Sequence, residues 1–222
     1  SNSYRARYVV DCNHVDVFHN TCAGTYGAFV NDIIRGDFRN NIFVGTSLYA
    51  FYSSDNFGTL NQATIDYNVY YKDGAPNLAY GGGVIYFDLP AWQGAFAQYN
   101  GASVEGNPVF ASSYDDLHVL GAAANNAGDN SVGVTVDIDG DARPAQTTVD
   151  IGADEYTPLL NDATLIALVE PGGTQCGDSI TPVSVSIQNL GQAPMFNVPI
   201  TVNVTGDIVQ TLNVTYSDTL QF

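Results

Sequence analysis

Six carboxylates crowd around one guanidinium between Asp137 and Tyr156, in the stretch DIDGDARPAQTTVDIGADEY. Three kinds of chemistry suit such a cluster. Asp137, Asp139 and Asp141 alternate as the first, third and fifth ligands of a calcium loop do, so Ca2+ is one candidate. Against an EF-hand, Gly140 falls at the fourth position rather than the sixth, and Thr148 stands where a bidentate Glu belongs. A catalytic carboxylate pair would need a cleft and separated pKa values, and no basic residues for holding a sugar stand nearby. The third role is structural. Arg143 is one of only two cations after residue 40, and its planar fork can pair with Asp150 or Glu155. That makes Arg143, Asp150 and Glu155 a cap that folds back over the last repeat of the domain. The cap reading is preferred.

Elsewhere the chemistry-bearing residues are sparse. There is no Gly-x-Ser-x-Gly, and YGGGV (80–84) lacks the Lys and the following helix of a phosphate loop. His14, His19 and His118 lack metal-ligand spacing. Cys12 and Cys22 are close enough in sequence for a disulfide across a short loop, with three buried thiols the alternative; Cys176 would then pair beyond residue 222. Aromatic residues gather between Tyr70 and Tyr99. If exposed, Trp92, Tyr86 and Tyr99 could stack on sugar rings; if buried, they seal the side of the fold.

The elements that position these residues are read from composition and repeats. Gly, Asn, Thr, Val and Tyr abound while charged residues are only 13%, which favours β-structure over helices. VFHNTC (17–22), FRNNIF (38–43) and IDYNVY (65–70) share one pattern, with Asn20, Asn41 and Asn68 at the common position. Repetition at this period predicts a solenoid, and the β-branched composition predicts a parallel β-helix. Asn suits a tight left-handed turn, and its amide can bond to the same residue in the repeats above and below.

FRNNIFVG and IDYNVYY resemble the last coils of right-handed parallel β-helix proteins of the pectate-lyase-like superfold. YFDLPAWQGAF…GNPVF is similar to their irregular terminal region. The acidic stretch resembles their closing signature, Asp-x-Asp-Gly…Arg…Asp-Ile-Gly-Ala…Glu. The resemblance implies a solenoid end over residues 1–156. It also implies that a calcium-and-base site of lyase type, if placed in this piece, would use Asp32, Asp37, Arg35 and Arg39. Weak surface pairing is the competing role for those four, because active sites of this superfold lie in middle coils, upstream of this chain.

After a linker at 157–162 the pattern changes. VSVSIQN (183–189) and PITVNVTG (199–206) alternate strictly and are separated by Gly- and Pro-containing turns. EPGGTQCGDSITPVSVSIQNLG and VPITVNVTG resemble Ig-like modules of the CARDB type found in secreted Bacteroidota proteins. Residues 163–222 are therefore expected to be a partial Ig-like β-sandwich, too short for the usual seven strands. The fold class expected overall is all-β. Asp178-Ser179-Ile180 and Asp218-Thr219-Leu220 look like O-glycosylation triplets of that phylum, and Asn203 and Asn213 open N-x-Thr patterns.

Charge bounds the partners. The chain carries 23 acidic and 6 basic residues, a net −17. Such a body repels nucleic acid and anionic membrane. No apolar run approaches the roughly 18 residues of a transmembrane helix. Both ends read as strand interiors, which predicts a piece of a longer chain. The expected function is adhesion or polysaccharide interaction by an extracellular or cell-surface protein, with no complete active site in this piece. The alternatives are a polysaccharide lyase or glycoside hydrolase with its catalytic coils upstream, or a structural stalk.

Overall fold

The computed structural model describes residues 8–12, 14–33, 35–57, 63–112, 114, 116–157, 159–171, 182–206 and 209–221; Cys176 and the 178–180 triplet lie outside them. The described chain is mostly β, with parallel and antiparallel sheets and one short helix. It divides into two compact units, Ser1–Thr157 and Pro158–Phe222.

In the first unit, consecutive strands alternate between two sheets. They are β1 (Tyr8–Cys12), β2 (Val15–Phe18), β3 (Thr21–Ile33), β4 (Gly36–Arg39), β5 (Ile42–Ser53), β6 (Thr64–Asp66) and β7 (Val69–Lys72). β2, β4 and β6 form one parallel sheet; β1, β3, β5 and β7 are parallel neighbours in the other, and the two sheets share no hydrogen-bonded strand. β8 (Asn77–Gly81) runs parallel beside the second half of β5, and β9 (Val84–Tyr86) folds back antiparallel on β8. The helix α1 (Leu89–Ala95) follows, then β10 (Val104–Glu105) beside β7, and the antiparallel pair β11 (Phe110–Ser112) and β12 (Asp116–Val119).

The asparagine repeat sets the register. The backbone N–H and Nδ2 of Asn20 both donate to Asn41 Oδ1, 21 residues on, at 3.0 and 3.1 Å. Asn41 donates in the same way to Asn68 Oδ1, 27 residues on, at 2.9 and 3.1 Å. The left-handed turn, however, belongs to the residue before each asparagine: His19, Asn40 and Tyr67 have φ of 50°, 59° and 52°, and Asn100 follows at 61°. The repeated Asn is thereby free to spend its amide on the ladder, while its predecessor absorbs the turn at the cost such a backbone imposes on a bulky residue.

β5 shows how the layers are built. Phe43 belongs to a core cluster with Phe38, Phe51, Phe57, Tyr70 and Trp92, while its neighbours Ile42 and Val44 belong to a second cluster with Val69, Val119, Ala124 and Ile151. Alternation thus places successive side chains on opposite faces, and both faces of this run are buried. A Cβ on Gly45 would come within 2.5 Å of the Tyr49 backbone, so glycine permits the sharp bend at which β5 leaves β7 for β8.

The aromatic interior is covered by α1. Asp88 caps the helix by accepting from Ala91 N–H, with Pro in the first turn. The helix buries Leu89 and Trp92, and Trp92 stands 4.7 Å from Phe57 and 5.3 Å from Tyr70, ring centre to ring centre. The segment that follows β12 takes a different place from the one expected of a lid. Instead of crossing the last repeat, it lies along the flank of β3 and β5: Gly152 N–H donates to Asn40 O, and Ala153 N–H to Thr21 Oγ1. Its apolar residues Ala124 and Ile151 need the outward faces of Ile42 and Val44, which run the length of the flank.

The second unit holds two antiparallel pairs, β13 (Ala163–Glu170) with β14 (Ser184–Asn189), and β15 (Val198–Val204) with β16 (Gln210–Tyr216). A groove of about 450 Å³ is lined by residues of β13, β14 and β15, among them Leu165, Val185, Ile187, Val198, Ile200 and Val202.

Candidate functional site: an aromatic face on the parallel sheet

Each expected site residue has a definite place. Arg143 is buried; its Nη1 pairs with Glu155 Oε1 at 2.7 Å, and its guanidinium also donates to the carbonyls of Asp150 and Gly152 at 3.3 and 2.9 Å. Asp150 therefore meets Arg143 through its main chain. Its carboxylate accepts instead from the N–H groups of Asn126 and Tyr156, and burial raises its pKa to about 6. This group of residues ties the closing segment to itself, and Arg143 lines a groove of about 390 Å³ with His19, Thr21 and Asp137.

The trio Asp137, Asp139 and Asp141 does not converge on a calcium loop. Asp137 Oδ1 accepts from the backbone N–H groups of Asp139 and Asp141, and Oδ2 from Glu155 N–H. Burial by itself would raise its pKa, but these donors and the Arg143 charge outweigh that and hold it below the ordinary carboxylate value. Only Asp139 meets other ligand types. Its carboxylate, that of Asp154 and His118 offer atoms within 4.8 Å of one another. These could hold a divalent cation, yet hydrogen bonds to Asp116 and Asp139 raise the His118 pKa to about 9. At neutral pH His118 is an imidazolium bridging two carboxylates, and it must lose that proton before it can ligate.

The stacking expectation for Trp92, Tyr86 and Tyr99 is corrected. They are 0%, 7% and 3% exposed and belong to the interior cluster, so none has a face for a sugar. The Cys12–Cys22 disulfide is also corrected: Cys12 is in register with Ile33 at one end of β3, and Cys22 stands near the other end, opposite Phe43. Arg39 is held bidentately by Asp37 at 2.7 and 2.6 Å and by Asp129 at 2.7 Å, which raises its pKa further and removes it as a base. Asp32 lies on β3, exposed, accepting from Asn31 Nδ2, and Arg35 is exposed just ahead of β4.

A different set of rings lies open. Beyond the bend, the outward positions of β3, β5 and β8 are Tyr26, Phe29, Tyr49, Tyr52 and Tyr80, all partly exposed and outside both buried clusters. The acidic segment lies against the first half of β3 and β5, and among the described residues none buries this half. Phe29, Tyr52 and Tyr80 are in register and form a ladder with centroids 4.6 and 4.8 Å apart and planes 16° and 3° from parallel. Ile85, 42% exposed, is paired with Tyr80 and extends the row. Tyr26 stands across the ladder, at 85° to Phe29 and 69° to Tyr52. Both faces of Tyr52 are occupied by Phe29 and Tyr80, so its contact with Tyr26 is through its edge. Tyr49 lies nearly parallel to Tyr26, 6.2 Å away. The arrangement offers a flat, open, apolar surface fringed with phenol hydroxyls, suited to a planar or ribbon-like ligand.

The sequence contained the signal for this face in its recurring aromatics TYGAF and SLYAFY, which fall one repeat apart. What obscured it was the bend, since the register shifts between Gly24 and Tyr26 on β3 and between Gly45 and Tyr49 on β5, breaking simple alternation. No known protein family, curated protein or solved structure matches the chain.

Proposed function

We propose that residues 1–156 are the closing coils of a right-handed parallel β-helix in an extracellular or cell-surface protein, and that they engage polysaccharide through the face built on Tyr26, Tyr49 and Tyr52. The residues that follow are read as part of an Ig-like spacer. Two parallel sheets that advance by the same step, with successive strands alternating between them, support the coil. The acidic, lysine-poor composition supports the location. The observation that carries the binding reading is the partly exposed aromatic half-sheet, a contiguous row of large rings of the kind that marks an interaction surface.

Affinity electrophoresis of the full chain through gels containing polysaccharides tests it. Retardation by at least one polymer, lost in Tyr26→Ala and kept in Tyr26→Phe, is the expected result. Free migration in every polymer, or retardation unchanged in Tyr26→Ala, overturns the reading.

A further inference from the structure

Resting on that reading, we infer that the aromatic face takes a neutral polysaccharide chain lying across β3, β5 and β8, rather than a uronate-bearing or sulfated one.

An acidic polymer is recognised by guanidinium or ammonium groups aimed at its carboxylates or sulfates. Three of the four described cations are committed elsewhere. Arg39 is clamped by Asp37 and Asp129; Lys72 pairs with Glu105 at 3.0 Å and donates to Phe87 O; Arg143 is buried against Glu155. Arg35, the remaining described one, is exposed in the turn between β3 and β4, six residues beyond Phe29.

The charges beside the face have the opposite sign. Asp32 sits exposed on β3, three residues beyond Phe29, and Asp55 follows the end of β5, where it accepts from Ile33 N–H. With a net charge of −17 behind them, these carboxylates repel an anionic chain as it approaches. Among the described residues, what remains to meet a ligand is uncharged: phenol hydroxyls, beside an Asn31 amide and a Ser54 hydroxyl that also bond Asp32 and each other. Burial and the neighbouring tyrosines raise the Tyr49 pKa, so its hydroxyl stays protonated as a donor. Uncharged donors and acceptors around an apolar platform match the hydroxyls and C–H faces of a neutral sugar.

The shape argues for a polymer. The ladder steps from Phe29 through Tyr52 to Tyr80 perpendicular to the strands, and Ile85 continues the line. An open row of this kind cannot enclose one sugar, but it can contact several consecutive residues of a chain at once, each adding a small contribution.

The test is affinity electrophoresis of the full chain in two sets of gels. One set contains neutral polymers (a mixed-linkage glucan, a galactomannan, a xyloglucan) and the other acidic ones (polygalacturonate, alginate, chondroitin sulfate). At least one neutral polymer is expected to retard the chain, with apparent affinity unchanged within about twofold between about 0.05 and 0.5 M NaCl. The acidic polymers are expected to have no effect. Tyr26→Ala should weaken neutral binding by about tenfold or more, while Tyr26→Phe, with the same melting transition, retains it. Stronger retardation by an acidic polymer, fading as salt rises and still dependent on Tyr26, overturns the neutral-ligand inference and leaves the aromatic reading standing. Retardation by neither set, or retardation indifferent to Tyr26, overturns both.

Discussion

Arg143 and Glu155 form a 2.7 Å ion pair in which each side chain is 1% exposed. Glu155 also accepts from the N–H groups of Asp150 and Ala145, so the pair joins three points of the closing segment. Removing one partner strands the other as a buried charge, which costs about 3–5 kcal/mol. Arg143→Ala should therefore lower the denaturant midpoint of the first unit sharply. Arg143→Lys should recover little, because a point charge cannot reach three acceptors in different directions. Arg143→Met with Glu155→Leu should be less harmful than the sum of the single changes. A wild-type midpoint in Arg143→Ala would show that the segment is held by its apolar contacts alone.

Asn41 is fully buried, and its amide serves five bonds: donors to Val17 O, Arg39 O and Asn68 Oδ1, and acceptors for both nitrogens of Asn20. Asn41→Ala leaves several buried polar groups without partners, a loss of about 2–4 kcal/mol. Asn41→Asp should be worse at neutral pH, since it replaces the donors with an anion facing Asn68 Oδ1. Equilibrium unfolding of the two variants checks the order; equal stability would mean that the ladder is dispensable.

Two buried groups titrate in opposite senses where the closing segment meets the repeats. His19 donates from Nδ1 to Gly152 O and accepts at Nε2 from Asn40 Nδ2, and burial, aided by the Arg143 charge, lowers its pKa to about 4. The folded value lies below the unfolded one, so the contribution of His19 is complete above pH 6.5 and is lost as pH falls toward 4. Asp150, raised to about 6 by burial, acts the other way: the fold gains as pH falls from 6 to 4. Wild-type stability should change little across this window because the two offset each other. His19→Asn, which suits the left-handed backbone, should gain stability on acidification, and Asp150→Asn should lose it more steeply. Parallel pH profiles for all three proteins would refute the assignment.

His118 governs the alkaline side. Its raised pKa of about 9 comes from hydrogen bonds to Asp116 and Asp139, so its contribution is full below pH 6.5 and disappears as pH rises through 9. The loss should be small, since the group is 42% exposed. His118→Asn should flatten the decline between pH 7 and 9, and an NMR titration of the imidazole with an ordinary midpoint would contradict the bridge.

Trp92, the chain's single tryptophan, is fully buried among Phe51, Phe57 and Tyr70. Its emission should be blue-shifted, resist iodide quenching and stay unchanged when polysaccharide binds. Trp92→Ala should cost about 3–5 kcal/mol through the cavity it leaves. Trp92→Phe should cost less, since the indole N–H has no hydrogen-bond partner among the described residues. A tryptophan signal that responds to polysaccharide would return the binding surface to this region.

Much of the local architecture was legible in the residue order. The spacing of Asn20, Asn41 and Asn68 anticipated which strands are neighbours, and the alternating runs at 183–189 and 199–206 overlap β14 and β15. These signals are readable because the period-two geometry of a strand and the amide chemistry of asparagine act through near neighbours in the chain or at a constant repeat. The acidic stretch likewise announced that its lone guanidinium needed carboxylate partners.

Which face of each strand would be covered was a different matter. Ile42, Phe43 and Val44 are equally apolar, yet Phe43 points into the aromatic interior and its neighbours lie beneath Ala124 and Ile151, brought from some eighty residues or more away. In the same way Trp92 and Tyr26 are both candidate stacking rings by type; the first is buried on α1, and the second stays partly exposed. Alternation separates side chains onto two faces but carries no information about what arrives to cover them. Burial is decided by packing between segments remote in sequence, so the folded chain assigned the partly exposed aromatic face.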